Sequence, residues 1–113
     1  MKFGLTENTV QKITNLISQY EEIEEAIIYG SRAKGNFRNG SDIDLVFKGA
    51  HLTLSLLNKL DQNLDDLMTP YKFDLSIYGH INNPDLKDHI QRIGITFFKR
   101  NLFLKNSDAV KQA

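Results

Sequence analysis

Apolar residues recur along this chain with two different periods. From Leu5 to Tyr20 the positions Val10, Ile13, Leu16, Ile17 and Tyr20 follow three- and four-residue steps, which places them on one face of a helix. Thr6 stands where an N-cap belongs. After the acidic cluster Glu21-Glu22-Ile23-Glu24-Glu25, the run Ala26-Ile27-Ile28-Tyr29 is nearly continuous in apolar character. It predicts a strand covered on both faces and ended by Gly30. Ser31 is expected to cap a short helical turn beginning around Arg32. Gly35 to Gly40 is polar and glycine-punctuated, hence a loop, with the glycines supplying positive φ.

From Asp42 to Lys48 the period becomes two. Ile43, Leu45 and Phe47 fall on one side of a strand, and Asp42, Asp44 and Val46 on the other. Thr53 to Leu67 returns to helical spacing, with a stripe of Leu56, Leu57, Leu60, Leu64 and Leu67, and Pro70 ends the pattern. Lys72 to Tyr78 alternates again: Phe73, Leu75 and Ile77 against Lys72, Asp74, Ser76 and Tyr78. A third full helix is expected over roughly Asp85 to Gly94, with Pro84 tolerated near its start. Ile95 to Phe98 fits a short fourth strand or a closing turn. The order of helix, strand, strand, helix, strand, helix predicts one small α/β (α+β) domain with a mixed sheet packed against helices. The domain is expected over residues 1–104 and a flexible tail over 105–113. Phe97 and Phe98 read as core; Leu102 and Phe103 fit core or a docking surface equally.

Composition narrows the function. The 113 residues suit one domain, with a thin core at this size. Fourteen Lys and Arg balance fourteen Asp and Glu. This argues against non-specific binding to DNA or membrane, which usually shows a basic excess. There is no cysteine, so thiolate metal sites and disulfides are excluded, and three scattered histidines give zinc little support. No apolar run approaches the roughly 20 residues of a membrane span, and no signal-peptide core follows Met1. The expected compartment is the cytoplasm.

The candidate chemistry lies between residues 30 and 45. Asp42 and Asp44, two apart on a strand, point to the same face, so both carboxylates can meet one metal or a pair of metals. Like charges held this close call for a cation or a shared proton. Mg²⁺ takes one or two carboxylates together with waters and substrate phosphates. Asp74 joins them if the third strand lies beside the second. Gly30 allows close backbone approach, and Ser31 offers a hydroxyl and an amide to a phosphate oxygen. Arg32 and Lys34 are candidate sources of positive charge, although only one needs to face the site. Arg38 fits either a phosphate contact or a solvated side chain, with solvation slightly favoured. Taken singly, a Gly-Ser pair is more often a turn, and an Asp-x-Asp is more often a solvated strand face. Their spacing, with Asp74 downstream, favours a nucleotide site.

Gly30-Ser31, Asp42-x-Asp44 and Asp74 together resemble the signature of nucleotidyltransferases with the DNA polymerase beta-like palm. The fuller run, Gly30-Ser31-Arg32-Ala33-Lys34-Gly35 and then Ser41-Asp42-Ile43-Asp44-Leu45, looks like the minimal nucleotidyltransferase (MNT) branch. Lys34 stands where the branch more often has arginine, which keeps the charge but not the bidentate geometry. The resemblance implies a palm-like fold and Mg²⁺, two ions during catalysis, held by Asp42, Asp44 and Asp74. It implies ATP as donor, with Ser31 at the triphosphate. It also implies a HEPN-domain toxin as partner in a hetero-oligomer, AMP transfer to a tyrosine of that toxin, and an antitoxin role. A protein acceptor suits a short, neutral chain better than a polynucleotide. The alternatives are a binding module that neutralises the HEPN partner without catalysis and, further off, a small-molecule nucleotidyltransferase.

Overall fold

The computed structural model describes residues 2–100. Its order is α1 (Glu7–Ser18), β1 (Glu25–Tyr29), α2 (Gly30–Lys34), β2 (Ile43–Lys48), α3 (Leu54–Asp65), β3 (Phe73–Ile77), a 3₁₀ turn (Tyr78–His80), α4 (Pro84–Ile93) and β4 (Ile95–Lys99). The tail over 105–113, Leu102 and Phe103 lie outside the described residues.

Side-chain caps set the helix starts. Thr6 Oγ1 accepts from the Thr9 amide at 3.1 Å, and Thr53 Oγ1 accepts from the Leu56 amide at 3.1 Å. Asn83 Oδ1 accepts from the Asp85 amide at 2.9 Å, and Pro84 occupies the first turn of α4. At the other end of α1, Arg100 brings its guanidinium back across the chain. It donates to the carbonyls of Ser18, Tyr20 and Ile23; the first is an acceptor that the helix end leaves open.

The four strands form one mixed sheet in the order β3-β2-β1-β4. β1 pairs antiparallel with both β2 and β4, with an irregularity at Ala26/Ile27 on the β4 side. β2 and β3 run parallel, joined through α3. The segment Ile95–Lys99 is thus a true edge strand, with Phe97 and Phe98 partly buried against the main core.

The alternation in the sequence assigns each side of the sheet. Ala26, Ile28, Ile43, Leu45 and Phe47 pack against Ile13 and Ile17 of α1 and Leu57, Leu60 and Leu64 of α3. The opposite side has a smaller cluster of Ile27, Val46, Ile81 and Ile90, the last from α4. α4 also packs beside α2 and β1. This second side is where Asp44 and Asp74 emerge.

Candidate active site

Local geometry begins at Gly30. It has φ +72°, a left-handed conformation that L side chains rarely adopt, and a Cβ there would collide with Asp44 Oδ2. Glycine therefore does two things at the β1–α2 junction: it turns the chain and lets the Asp44 carboxylate lie against the backbone. α2 begins at Gly30 itself, with Tyr29 in the cap position and no side-chain cap bond. Ser31 is therefore inside the first turn instead of capping it, a correction that follows from the positive φ one residue earlier. Its hydroxyl and amide are not consumed by capping.

Gly35 ends α2 at φ +88°, and Gly40 turns the following loop at φ +84°. Within that loop the Arg38 amide donates to Ser41 Oγ at 2.8 Å, and the Arg38 side chain is exposed. The chain then enters β2 through Asp42.

Parallel pairing places Asp44 directly opposite Asp74, and antiparallel pairing places it opposite Tyr29. Registered neighbours share a face. Asp44, Asp74 and Tyr29 thus stand side by side across three strands. Asp42, exposed, stands two residues before Asp44 at the mouth of the strand. Electrostatics record this closeness. Burial, then the charges of Asp74 and Asp42, push the Asp44 carboxyl above the usual carboxylate range, against an opposing pull from His89. Burial also raises the Tyr29 phenol. The neighbouring Ser76 hydroxyl opposes that rise, and Asp74 and Asp44 add to it. Ser76 Oγ is buried without a partner that meets hydrogen-bond geometry.

Among the described residues, no three carboxylate or imidazole side chains converge into a ready-made metal cage. The donor set is instead a row of hard oxygen ligands with mutual repulsion. That suits an ion such as Mg²⁺, which draws one or two carboxylates from protein and completes its shell with water and phosphate. Asp42 and Asp44 could hold such an ion, with Asp74 adjacent.

Among the described residues neither cationic candidate forms an ion pair with these carboxylates. Arg32 is only 2% exposed. Its Nε and Nη2 donate to the Ser41 carbonyl at 3.0 and 2.8 Å, and its Nη1 donates to the Phe3 carbonyl at 2.8 Å. Its guanidinium also lies against the rings of Tyr71 and Phe37, 4.8 and 5.2 Å from their centroids. With its donors engaged inward, Arg32 fastens the loop that leads into Asp42. Lys34 is exposed at the end of α2.

Three groups were not singled out from sequence. Ser76 shares the face of Asp74, two residues on, but its residue type alone carries no signal of a role. Tyr29 falls at the end of an apolar run, where the pattern marks only a strand end. His89 had no local signal, because the α4 packing brings it to Tyr29, with ring centroids 6.3 Å apart edge to face.

Comparison with known proteins decides the family. Residues 11–102 match the polymerase beta nucleotidyltransferase family. The chain belongs to that family. Its fold is similar to a crystal structure of a toxin–antitoxin with AMP-PNP, at 21% identity and TM-score 0.66, covering 96% of this chain and 88% of the other. It is also similar to a structure of the MntA-HepT toxin–antitoxin, at 18% identity and TM-score 0.63, with coverages of 95% and 87%. A third likeness is to a structure of a tri-AMPylated Shewanella oneidensis HEPN toxin in complex with MNT antitoxin. There the identity is 17% and the TM-score 0.63, with coverages of 94% and 79%. No curated protein matches the chain. Family and fold thus agree on a nucleotidyltransferase domain of the polymerase beta type. Among the described residues no helix is long and apolar enough to cross a membrane.

Proposed function

We propose that this nucleotidyltransferase transfers AMP from ATP to a tyrosine hydroxyl of a HEPN-type toxin, and so serves as its antitoxin in a cytoplasmic hetero-oligomer. The observation that carries the reading is the registered Asp44–Asp74 pair with Asp42 two residues ahead, facing a glycine pressed against Asp44. The likeness to structures of toxin–antitoxin complexes, one with AMP-PNP and one with a tri-AMPylated toxin, supports the choice of donor and acceptor.

In this reading Gly30 and Ser31 receive the triphosphate, and Asp42 and Asp44 hold Mg²⁺. Bound there, the ion offsets charge on the phosphates and lowers the pKa of the acceptor hydroxyl. The acceptor oxygen attacks the α-phosphorus in line. A new P–O bond forms, the bond to the bridging oxygen breaks, and pyrophosphate leaves. Asp74, in register beside Asp44, is the group assigned to take the hydroxyl proton. Arg32 contributes by holding Ser41 and hence the entry to Asp42 in place.

The test is transfer of label from α-³²P ATP, with Mg²⁺, to a purified HEPN-type toxin as the candidate acceptor. The intact protein should label it; the Asp42→Asn plus Asp44→Asn variant should not, a loss of at least about a thousandfold, or roughly 4 kcal/mol. No label from the intact protein, with full neutralisation of the toxin by the variant, would overturn catalysis in favour of neutralisation by binding alone.

A further inference from the structure

The open side of the sheet has a direction. Across three neighbouring strands, each about 4.8 Å from the next, the registered row runs Asp74, Asp44, Tyr29. The transfer reading gives the acceptor's proton to Asp74, at one end of this row. In-line displacement sends the leaving pyrophosphate to the side opposite the attacking oxygen. That side is the Tyr29 end, where Gly30 follows.

His89 stands at that end. Leu86 and Ile90 seat α4 on the smaller apolar cluster, with Ile90 buried in it. His89 follows Leu86 by three residues and so lies on the same side of the helix, at the margin of that contact. It is half-buried, and its ring meets Tyr29 edge to face, with centroids 6.3 Å apart. Its pull on the Asp44 carboxyl places the ring within electrostatic reach of that residue as well. The polar side chains around it on α4 are engaged elsewhere. Lys87 Nζ lies 5.2 Å from the Tyr78 ring centroid, Gln91 Nε2 donates to Tyr78 Oη at 3.1 Å, and Arg92 pairs with Asp88 at 2.8 Å. Among the described residues His89 makes no hydrogen bond or ion pair. An imidazole has at least one N–H donor in either charge state. Arg32, next to Ser31 in sequence, already directs its donors to the Ser41 and Phe3 carbonyls.

We propose that His89 is a ligand of the leaving pyrophosphate: a ring N–H donates to a β- or γ-phosphate oxygen of the bound nucleotide, at the end of the row opposite the acceptor. The choice of ligand rests on the nucleotidyl-transfer reading. Negative charge builds on the pyrophosphate as the bond from the α-phosphorus to the bridging oxygen breaks. A donor aimed there strengthens in the transition state and lowers the barrier. Packing on Tyr29 holds the ring in place for that contact.

Calorimetry and imidazole NMR of the full chain with Mg²⁺ test this, using the α,β-methylene analogue of ATP, inorganic pyrophosphate and AMP. In the parent the His89 ring signals should shift with the analogue and with pyrophosphate, and stay in place with AMP. His89→Phe keeps an aromatic ring against Tyr29 and removes both ring nitrogens. It should weaken the analogue and pyrophosphate at least about tenfold and leave AMP within about twofold. Parent-like affinity of this variant for the analogue overturns the proposal. So does an equal loss for AMP, which would mean that the ring acts only through its packing on Tyr29. Should the variant not fold, ring signals in the parent that pyrophosphate leaves unmoved overturn it alone. A parent that binds the analogue without these effects ends the His89 assignment only; a parent that binds no nucleotide ends the nucleotidyl-transfer reading too.

Discussion

The two sides of the sheet differ in how they are covered. The side facing α1 and α3 is sealed: Ile13, Ile17, Leu60 and Leu64 meet Ile28, Ile43, Leu45 and Phe47, all fully buried. The side facing α4 has Ile27, Val46, Ile81 and Ile90, and beyond them Asp44, Asp74, Ser76 and Tyr29. One strand serves both: β2 sends Leu45 and Phe47 into the sealed side, and Asp44, Val46 and Lys48 into the open one. Apolar burial scales with covered area, so stability should reside chiefly on the sealed side. Charged groups tolerate only partial burial, so the incompletely covered side is where a metal and phosphates can be received.

The largest test of that division is a pair of truncations. Phe47→Ala should cost about 3–5 kcal/mol, a large share of the 5–15 kcal/mol typical of a whole domain. Ile90→Val, on the α4 side, should cost only about 1 kcal/mol. Urea unfolding measures both. Equal losses would mean that α4 carries as much of the fold as α1 and α3, and the division would fail.

Arg32 comes next, because it stands at the rim where the loop enters the open side. Arg32→Met removes the donors to the Ser41 and Phe3 carbonyls, and a loss of about 2 kcal/mol is expected. Arg32→Lys should recover little of it, because one ammonium cannot replace the planar fork. Calorimetric ATP affinity of the folded variant should stay within about twofold of the parent. A variant that keeps its stability but loses ATP affinity tenfold would make Arg32 a phosphate ligand after all.

Arg32 also shows where sequence reading stops. The two strand faces, the Thr6 cap and the adjacency of Asp42 and Asp44 were legible because each depends on residues two to four apart. The meeting of Asp44 with Asp74 was legible only as a condition, since alternation assigns a face but not which strands are neighbours. The partners of Arg32 are 9 and 29 residues away in sequence, and both are backbone carbonyls, which no residue type announces. A basic residue next to a Gly-Ser turn therefore looks the same whether it reaches out to phosphate or in to carbonyls. His89 was invisible for a related reason: only the packing of α4 brings it to Tyr29.

The smallest expected effect tests the open side most directly. Burial and the charges of Asp74 and Asp42 raise Asp44 above its ordinary value of 3.8 in the folded protein. A raised folded pKa means that the native state binds more protons than the unfolded chain between the two values. The stabilising contribution is fully present below pH 3.8 and is lost as pH rises through the folded value. At neutral pH the ionised Asp44 is therefore a penalty in metal-free protein. Asp44→Asn removes it and should stabilise the chain at pH 7 in chelator, by less than about 1 kcal/mol given solvent screening. The gain should shrink as the pH is lowered towards 3.8. Mg²⁺ with a non-hydrolysable ATP analogue should reverse the ranking. The parent gains about 2.7 kcal/mol at a ligand concentration one hundred times Kd, while the variant gains little. Thermal unfolding with and without the ligands measures both signs. A variant less stable than the parent in chelator would mean that Asp44 supports the fold, and that the open side is not under the electrostatic strain a metal would relieve.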